Sequence, residues 1–387
     1  MRNHQVLFVP KMPTAKVAHH AAEHEGMERA RGMAPPMRIT PGWWRPQLFL
    51  AHYLCSVSHS NAIYLEQWRT QEWKKPPPLQ GVRSVTYMHH SSGDNQGYFA
   101  WECTPTGQII DDHAASDADQ WFAMDLFFAS GRWGNGYNIY NYQDQAQKIL
   151  HNMLHHGTIN NVTNMFDLNQ KQVVLVPYMD SATYTDPSYH FPAYYELWSR
   201  WATEDQSFWA QAATTSRQFL QNTVNTTTGL APDYANFDGT PHPDNGHGDF
   251  RFDAWRVNSN IAVDYAWFAN DSWEKNQSDR VQNFFNSQGM NTYGNQYTLN
   301  GQVLSTDHST GLIAMNAVAS LAATQSMSHN FVDALWNAPV PSGQWRYYDG
   351  MLYMLALLHD SGNFHIYTPV IGSKRVAKPP YRPIHLP

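Results

Sequence analysis

An all-α fold, built of helical hairpins that close into an α/α barrel, is what this sequence predicts, and three observations predict it. Apolar residues recur at i, i+3, i+4 from Asp117 almost to the C-terminus. Short clusters of Gly, Pro, Asn and Asp, as in "GRWGNGYN" and "LAPDYANFDGTPHPDNGHGD", separate the periodic segments. No short internal repeat is present, which disfavours a solenoid. The longer connections of such a barrel are expected on one face, where they form the functional surface.

Taken in order, the periodicity gives helices over 117–132, 143–156, 191–202, 204–222, 254–269, 274–288, 309–324, 329–337 and 347–360. The first opens in "ASDADQWFAMDLFFASGRWG". Ser116 followed three residues on by Asp119 reads as a capping-box-like start, with Asp117 and Asp119 in the first turn beside unpaired backbone N–H groups. Trp121, Phe122, Met124, Phe127 and Phe128 surround this helix with apolar side chains, so its acidic N-terminus is expected to open into the interior. Asp125, within the same run, reads as a structural acid. Only "KQVVLVPYM", 171–179, looks like a strand. The first 85 residues form an atypical leader: "MAPPMRITPGWWRP" and "KKPPPLQG" interrupt a weak periodicity with proline.

Composition narrows the function. Aromatic residues make up 14% of the 387 positions, including 15 Trp and 21 Tyr, while charged residues are only 15%. Flat aromatic faces in that number suit sugar rings. A net charge of -7 argues against nucleic acid, which needs clustered Lys and Arg. No apolar run approaches a membrane span, and no cleavable signal is seen in "MRNHQVLFVPKMPTAKVAHH". With two cysteines only, Cys55 and Cys103, a cytoplasmic location is the expectation.

Chemistry centres on a second acidic helix start, "GHGDFRFDAWRVNSNIAVDYAWF". Asp253 and Arg256 stand three apart, so an ion pair between them is geometrically available. Two acid-bearing helix N-termini among aromatics suit glycoside hydrolysis, in which one carboxyl protonates the leaving oxygen and another activates water. The adjacent pairs His19–His20, His89–His90 and His155–His156 read as surface histidines, because neighbours on a helix point apart and no HExxH or Cys set accompanies them. No metal and no cofactor is expected: GxSxG, GxGxxG and Walker motifs are all missing. Trp345, Tyr347 and Tyr348 read as core or as a sugar platform, with core preferred.

"ASDADQWFAMDLFFASGRWG" resembles the signature of glycoside hydrolase family 8, in Ala115 to Asp119, Ala123, Ala129 and Trp133. "GYFAW", "DPSYHFPAYYELW", "TGLAPDYANFDGTP", "FDAWRVNSNIAVDYAWF", "TGLIAMNAVASLA" and "RYYDGMLYMLALLHDSGNF" extend the likeness from about Thr86 to Tyr367, so 86–387 is expected to be the catalytic barrel. Within the family the look is that of the reducing-end xylose-releasing exo-oligoxylanases. The resemblance implies an (α/α)6 barrel with its first helices atypical or incomplete. It further implies hydrolysis of β-1,4-xylo-oligosaccharides with inversion. By the same resemblance Asp253 is the general base, Tyr189 helps hold the attacking water and Asp117 contacts the distorted sugar. Arg256 would orient Asp253, Trp101, Tyr98 and Asp119 would bind substrate, and His308 would lie on a loop closing the cleft beyond the reducing-end sugar. The family's general acid, a Glu, is not assigned: "GVRS" runs straight into Val85, which occupies its expected position, and Glu25 lies far too early. An impaired carbohydrate-binding relative, or an endo-acting xylanase or β-glucanase of the same family, is the alternative.

Overall fold

In a computed structural model, residues 88–104 and 107–369 are described here. The leader 1–85, with Glu25, Glu66 and Glu72 among its five glutamates, lies outside them.

Nine α-helices stand among the described residues: α1 Ser116–Trp133, α2 Tyr142–His155, α3 Pro192–Trp201, α4 Gln206–Thr223, α5 Trp255–Phe268, α6 Ser272–Ser287, α7 Thr310–Val318, α8 Ser328–Asn337 and α9 Arg346–Asp360. Every expected helix is found, most within two residues of its expected ends. The exception is the segment expected over 309–324, where α7 gives way to a 3-10 turn, Ala319–Leu321.

The helices alternate between two environments. Helices α1, α5 and α7 are buried along most of their length, α7 throughout, whereas α2, α4, α6 and α8 bury only one stripe. An apolar surface all round marks an inner helix and a one-sided surface an outer one. Consecutive members pack as hairpins, α1 with α2 and α3 with α4, while α3, α5, α7 and α9 pack side by side as an inner row. Gly311, in the first turn of α7, lets this row close up. A Cβ there would lie 2.7 Å from Asp349 Oδ1 and 3.2 Å from the Trp255 ring. Aromatic rings fill the interior. Trp121 of α1 meets Phe191 and Tyr194 edge-on at 5.3 and 5.1 Å, and Trp267 of α5 stacks on Phe364 at 5.5 Å.

The connections differ at the two ends. At one end they are short, 134–141, 202–205, 269–271 and 322–327; at the other three are long, 156–191, 224–254 and 288–309, and the last, 338–345, is short. The long ones carry two of the three antiparallel two-stranded ribbons, Phe166–Asp167 (β3) with Gln172–Val173 (β4) and Gln296–Tyr297 (β5) with Val303–Ser305 (β6). The third pairs Glu102–Cys103 (β1) with Ile109–Asp111 (β2). The strand expected over 171–179 is thus only the two residues of β4. Beyond Val173 the backbone turns to bond Met165 and Tyr184, and Pro177 offers no N–H to continue a ladder.

The start of α1 also differs from expectation. Its N-cap is Ala115, with no side-chain cap, and Ser116 is already helical, so the capping box does not form. The acids of its first turn are directed elsewhere.

Candidate active site

Each inner helix from α1 to α9 presents its N-terminal turn to the end bearing the long connections, and there the site residues meet. Asp117 lies in the first turn of α1, and Tyr189 in the 3-10 turn Pro187–Tyr189 just before α3. Asp253 lies in the 3-10 turn Phe252–Ala254 that leads into α5, and Tyr348 in the first turn of α9. Helix N-termini carry partial positive charge, so their convergence favours acids at this mouth.

Arg256 joins them. Its guanidinium contacts Asp117 Oδ2 at 2.7 Å and Asp253 Oδ1 at 3.1 Å, and it lies over the Tyr189 ring, 5.4 Å from the centroid. The i, i+3 pair open to Asp253 and Arg256 is therefore made, and extended across 139 residues to Asp117. Tyr348 donates its hydroxyl to Asp253 Oδ1 at 2.7 Å and to the Phe252 carbonyl at 3.1 Å. Tyr348 thus packs its ring against the core while its hydroxyl serves the site, whereas Trp345, at 70% exposed, lies at the surface, where the core reading is corrected. Trp345 is the N-cap residue of α9 and Tyr348 lies inside its first turn, a difference that composition alone does not resolve.

The backbone that delivers Asp253 is strained. Phe252 has φ +40°, a region a bulky side chain rarely occupies, and it remains 44% exposed. Asp233 holds the turn from below: one carboxylate oxygen accepts the Ala254 N–H at 3.0 Å, and the other meets His247 Nδ1. His247 in turn stacks on Tyr234 at 4.2 Å. Tyr189 is fixed through its carbonyl, which accepts from Gln120 and from the Tyr195 hydroxyl, each at 3.2 Å.

Two further buried acids face Asp253. Asp186 caps its own turn, accepting the Ser188 N–H at 2.6 Å. Burial and the charge of Asp253 push both Asp186 and Asp233 well above the usual carboxylate range. Burial also raises Asp117, against the pull of Arg256, while Asp253, Tyr348 and Asp117 together hold Arg256 firmly protonated despite burial. Sequence reasoning passed over Asp186, Asp233 and Tyr348. Asp186 heads the "DPSY" segment and Asp233 lies in "APDY", so the signal available was their place inside the quoted motifs.

The remaining expected contacts fall into two groups. Trp101 is 40% exposed and directs its indole N–H at Asp111, and His308 is exposed, donating Nδ1–H to the Tyr293 carbonyl at 2.8 Å. Both present open surface to solvent. Tyr98 and Asp119 do not: each is fully buried, Tyr98 donating to the Thr163 carbonyl at 2.8 Å and Asp119 facing the Phe99 N–H. Direct substrate contact by these two is corrected to support behind the site, because Tyr98 and Asp119 sit beneath the backbone that carries Trp101 and Asp117.

Residues 86–362 match glycosyl hydrolases family 8. The chain belongs to that family. It is similar to the reducing-end xylose-releasing exo-oligoxylanase of Paenibacillus barcinonensis, 43% identical over 73% of this chain and 75% of the relative. The corresponding enzyme of Halalkalibacterium halodurans is 40% identical over 73% of each. Among solved structures, a family 8 xylobiose complex from Teredinibacter turnerae superposes with TM-score 0.72 at 42% identity, covering 75% of this chain and 77% of that one. A reducing-end xylose-releasing exo-oligoxylanase superposes with TM-score 0.73 at 32% identity, covering 92% and 96%. The fold is accordingly the (α/α)6 barrel of family 8, whose inner and outer helices are the two environments described above.

Proposed function

We propose that this enzyme hydrolyses β-1,4-xylo-oligosaccharides with inversion, releasing xylose from the reducing end. One observation carries the reading: Arg256 clamps Asp117 and Asp253 at the mouth of a barrel whose relatives are exo-oligoxylanases. Asp253 is the base. Its carboxylate is about a third exposed, reachable by water, while Arg256 and Tyr348 fix one oxygen and leave the other to take a proton. Tyr189, under the guanidinium, helps hold the attacking water, and Asp117 grips the sugar ring as it flattens. Water attacks the anomeric carbon on the face opposite the leaving oxygen, its proton passing to Asp253 as the glycosidic bond breaks and the leaving oxygen takes up a proton from a general acid or from solvent. Trp101 and His308 form the open walls, His308 on the loop that limits the cleft beyond the reducing-end sugar. Catalysis is assigned to 86–387, which the match over 86–362 supports.

No described helix is long and apolar enough to cross a membrane. A cytoplasmic site of action fits the low cysteine content, two in 387 residues.

The test is product analysis. Xylotriose should lose one xylose, with the α-anomer of the shortened chain appearing first by proton NMR, and xylotriose reduced at its terminal sugar should resist. Mixed oligomers appearing early from long xylan would indicate endo action instead.

A specific observation favours a second reading, an impaired enzyme that retains binding. Of the four described glutamates, three are engaged elsewhere, Glu196 with Arg200 and Arg217, Glu204 with His151 and Glu274 buried in α6, and Glu102 lies in β1. An acid contributes roughly 10²–10⁴-fold. Without one, β-xylobiosyl fluoride, whose leaving group needs no proton, should be turned over far better than xylotriose. Equal loss on both substrates would dismiss this second reading.

A further inference from the structure

Away from the cleft, one face of α2 meets the short connection between α3 and α4. Gln147, His151 and His155 follow one another at four-residue intervals along that face, and each engages the stretch from Trp201 to Asp205. Gln147 donates to the Trp201 carbonyl at 2.7 Å and accepts the Thr203 N–H at 2.9 Å. His151 Nδ1 meets Glu204 Oε1 at 2.7 Å, and His155 Nε2 meets Asp205 Oδ2 at 2.6 Å. The two imidazoles lie against each other, 4.7 Å between centroids. One ligand atom each from His151, His155 and Glu204 lie within 4.8 Å of one another. Asp205 is held in its place by a left-handed backbone, φ +56°.

We propose that these side chains form a zinc site, with His151, His155 and Glu204 as ligands and Asp205 completing the tetrahedron. Two imidazoles four apart on a helix share a face, and adding carboxylate oxygens gives a donor set that suits Zn²⁺. Each imidazole now shares a proton with a carboxylate. A zinc ion would replace both shared protons, releasing them to solvent, and would draw the four groups around one centre. At nitrogen–metal distances of about 2.0–2.1 Å the donors must close by on the order of 1 Å from their present spread, a matter of side-chain rotation for groups this exposed. Gln147 has already docked the loop, so binding does not have to order it. The adjacent pair His155–His156 gives no such signal in the sequence; the signal is the four-residue spacing from His151, joined by acids that only the fold brings near. Bound zinc would tie the first described hairpin, α1–α2, to the second, α3–α4.

The test uses the full-length, untagged chain, stripped with chelator and titrated with zinc chloride by calorimetry, alongside the double variant His151→Ala/His155→Ala and the single variant Glu204→Gln. The parent should bind one more molar equivalent of zinc than the double variant, and zinc should raise the melting temperature of the parent only. Glu204→Gln should weaken that equivalent at least tenfold. Cobalt(II) in the parent should give the intense visible absorption of a four-coordinate site, absent from the double variant. These side chains lie outside the catalytic machinery, so turnover of xylo-oligosaccharide by the metal-free double variant should equal that of the metal-free parent, which also shows that it is folded. Equal zinc stoichiometry and equal melting shifts in parent and double variant would overturn the proposal, whatever the enzyme's substrate proves to be.

Discussion

At the scale of single residues, the site is a problem of charge balance solved by Arg256. Asp117, Asp186, Asp233 and Asp253 influence one another electrostatically, and Arg256 is the cation that touches two of them. Replacing Asp253 with Asn should lower kcat by roughly 10²–10⁴-fold while leaving xylotriose affinity, read by calorimetry, nearly intact, because a base acts mainly in the transition state. Asp233→Asn acts one step away. The amide can still accept the Ala254 N–H but presents an NH2 group where an oxygen meets His247, so kcat should fall by less than for Asp253→Asn, with KM little changed. Phe252 bears on stability. Glycine accepts φ +40° without strain, so Phe252→Gly should keep or raise the melting temperature while the freed turn lowers kcat, which thermal denaturation and steady-state kinetics would read separately.

At the scale of helices, four successive ones share one buried ionic network. Arg217 of α4 makes two contacts with Asp264 of α5, at 2.6 and 2.8 Å, and one with Glu196 of α3 at 3.1 Å. Glu274 of α6 completes it: burial, then its hydrogen bond to Asp264, push its carboxyl up to about 10. A carboxyl raised on folding binds its proton more tightly in the native state, so its stabilisation is whole below the ordinary glutamate range and is lost as pH climbs toward about 10. The melting temperature should therefore decline between pH 6 and 9, and Glu274→Gln should flatten that slope. A slope unchanged in the variant would show that Glu274 is not the group responsible. The helices themselves were legible in sequence because both environments leave a periodic trace, and the longer connections were legible by their Gly, Pro and Asn. The two-residue strands were not, since a pair of residues carries no alternation to read. Among site residues, Asp253 and Arg256 announced themselves by their spacing. The Asp117–Arg256 contact spans 139 positions and has no local signature, and the burial of Tyr98 and Asp119 depends on which backbone lies above them.

At the scale of the whole barrel, every residue given a part in the chemistry rides on the N-terminal turn of an inner helix or on the connection entering it. The outer helices and the short turns at the far end contribute none. The two ends of the barrel should therefore age differently under random mutation. In a deep mutational scan selected for xylose release, active clones should accumulate changes at Thr203, Asn270, Ala323 and the solvent faces of α2, α4, α6 and α8. Tyr189, Asp253, Arg256 and Tyr348 should stay nearly invariant. Insertions of a few residues should be tolerated at 202–205 and 322–327 and eliminated at 186–190 and 250–256. A lineage needing a new substrate could then rebuild one end of this protein while the other continued to hold it together.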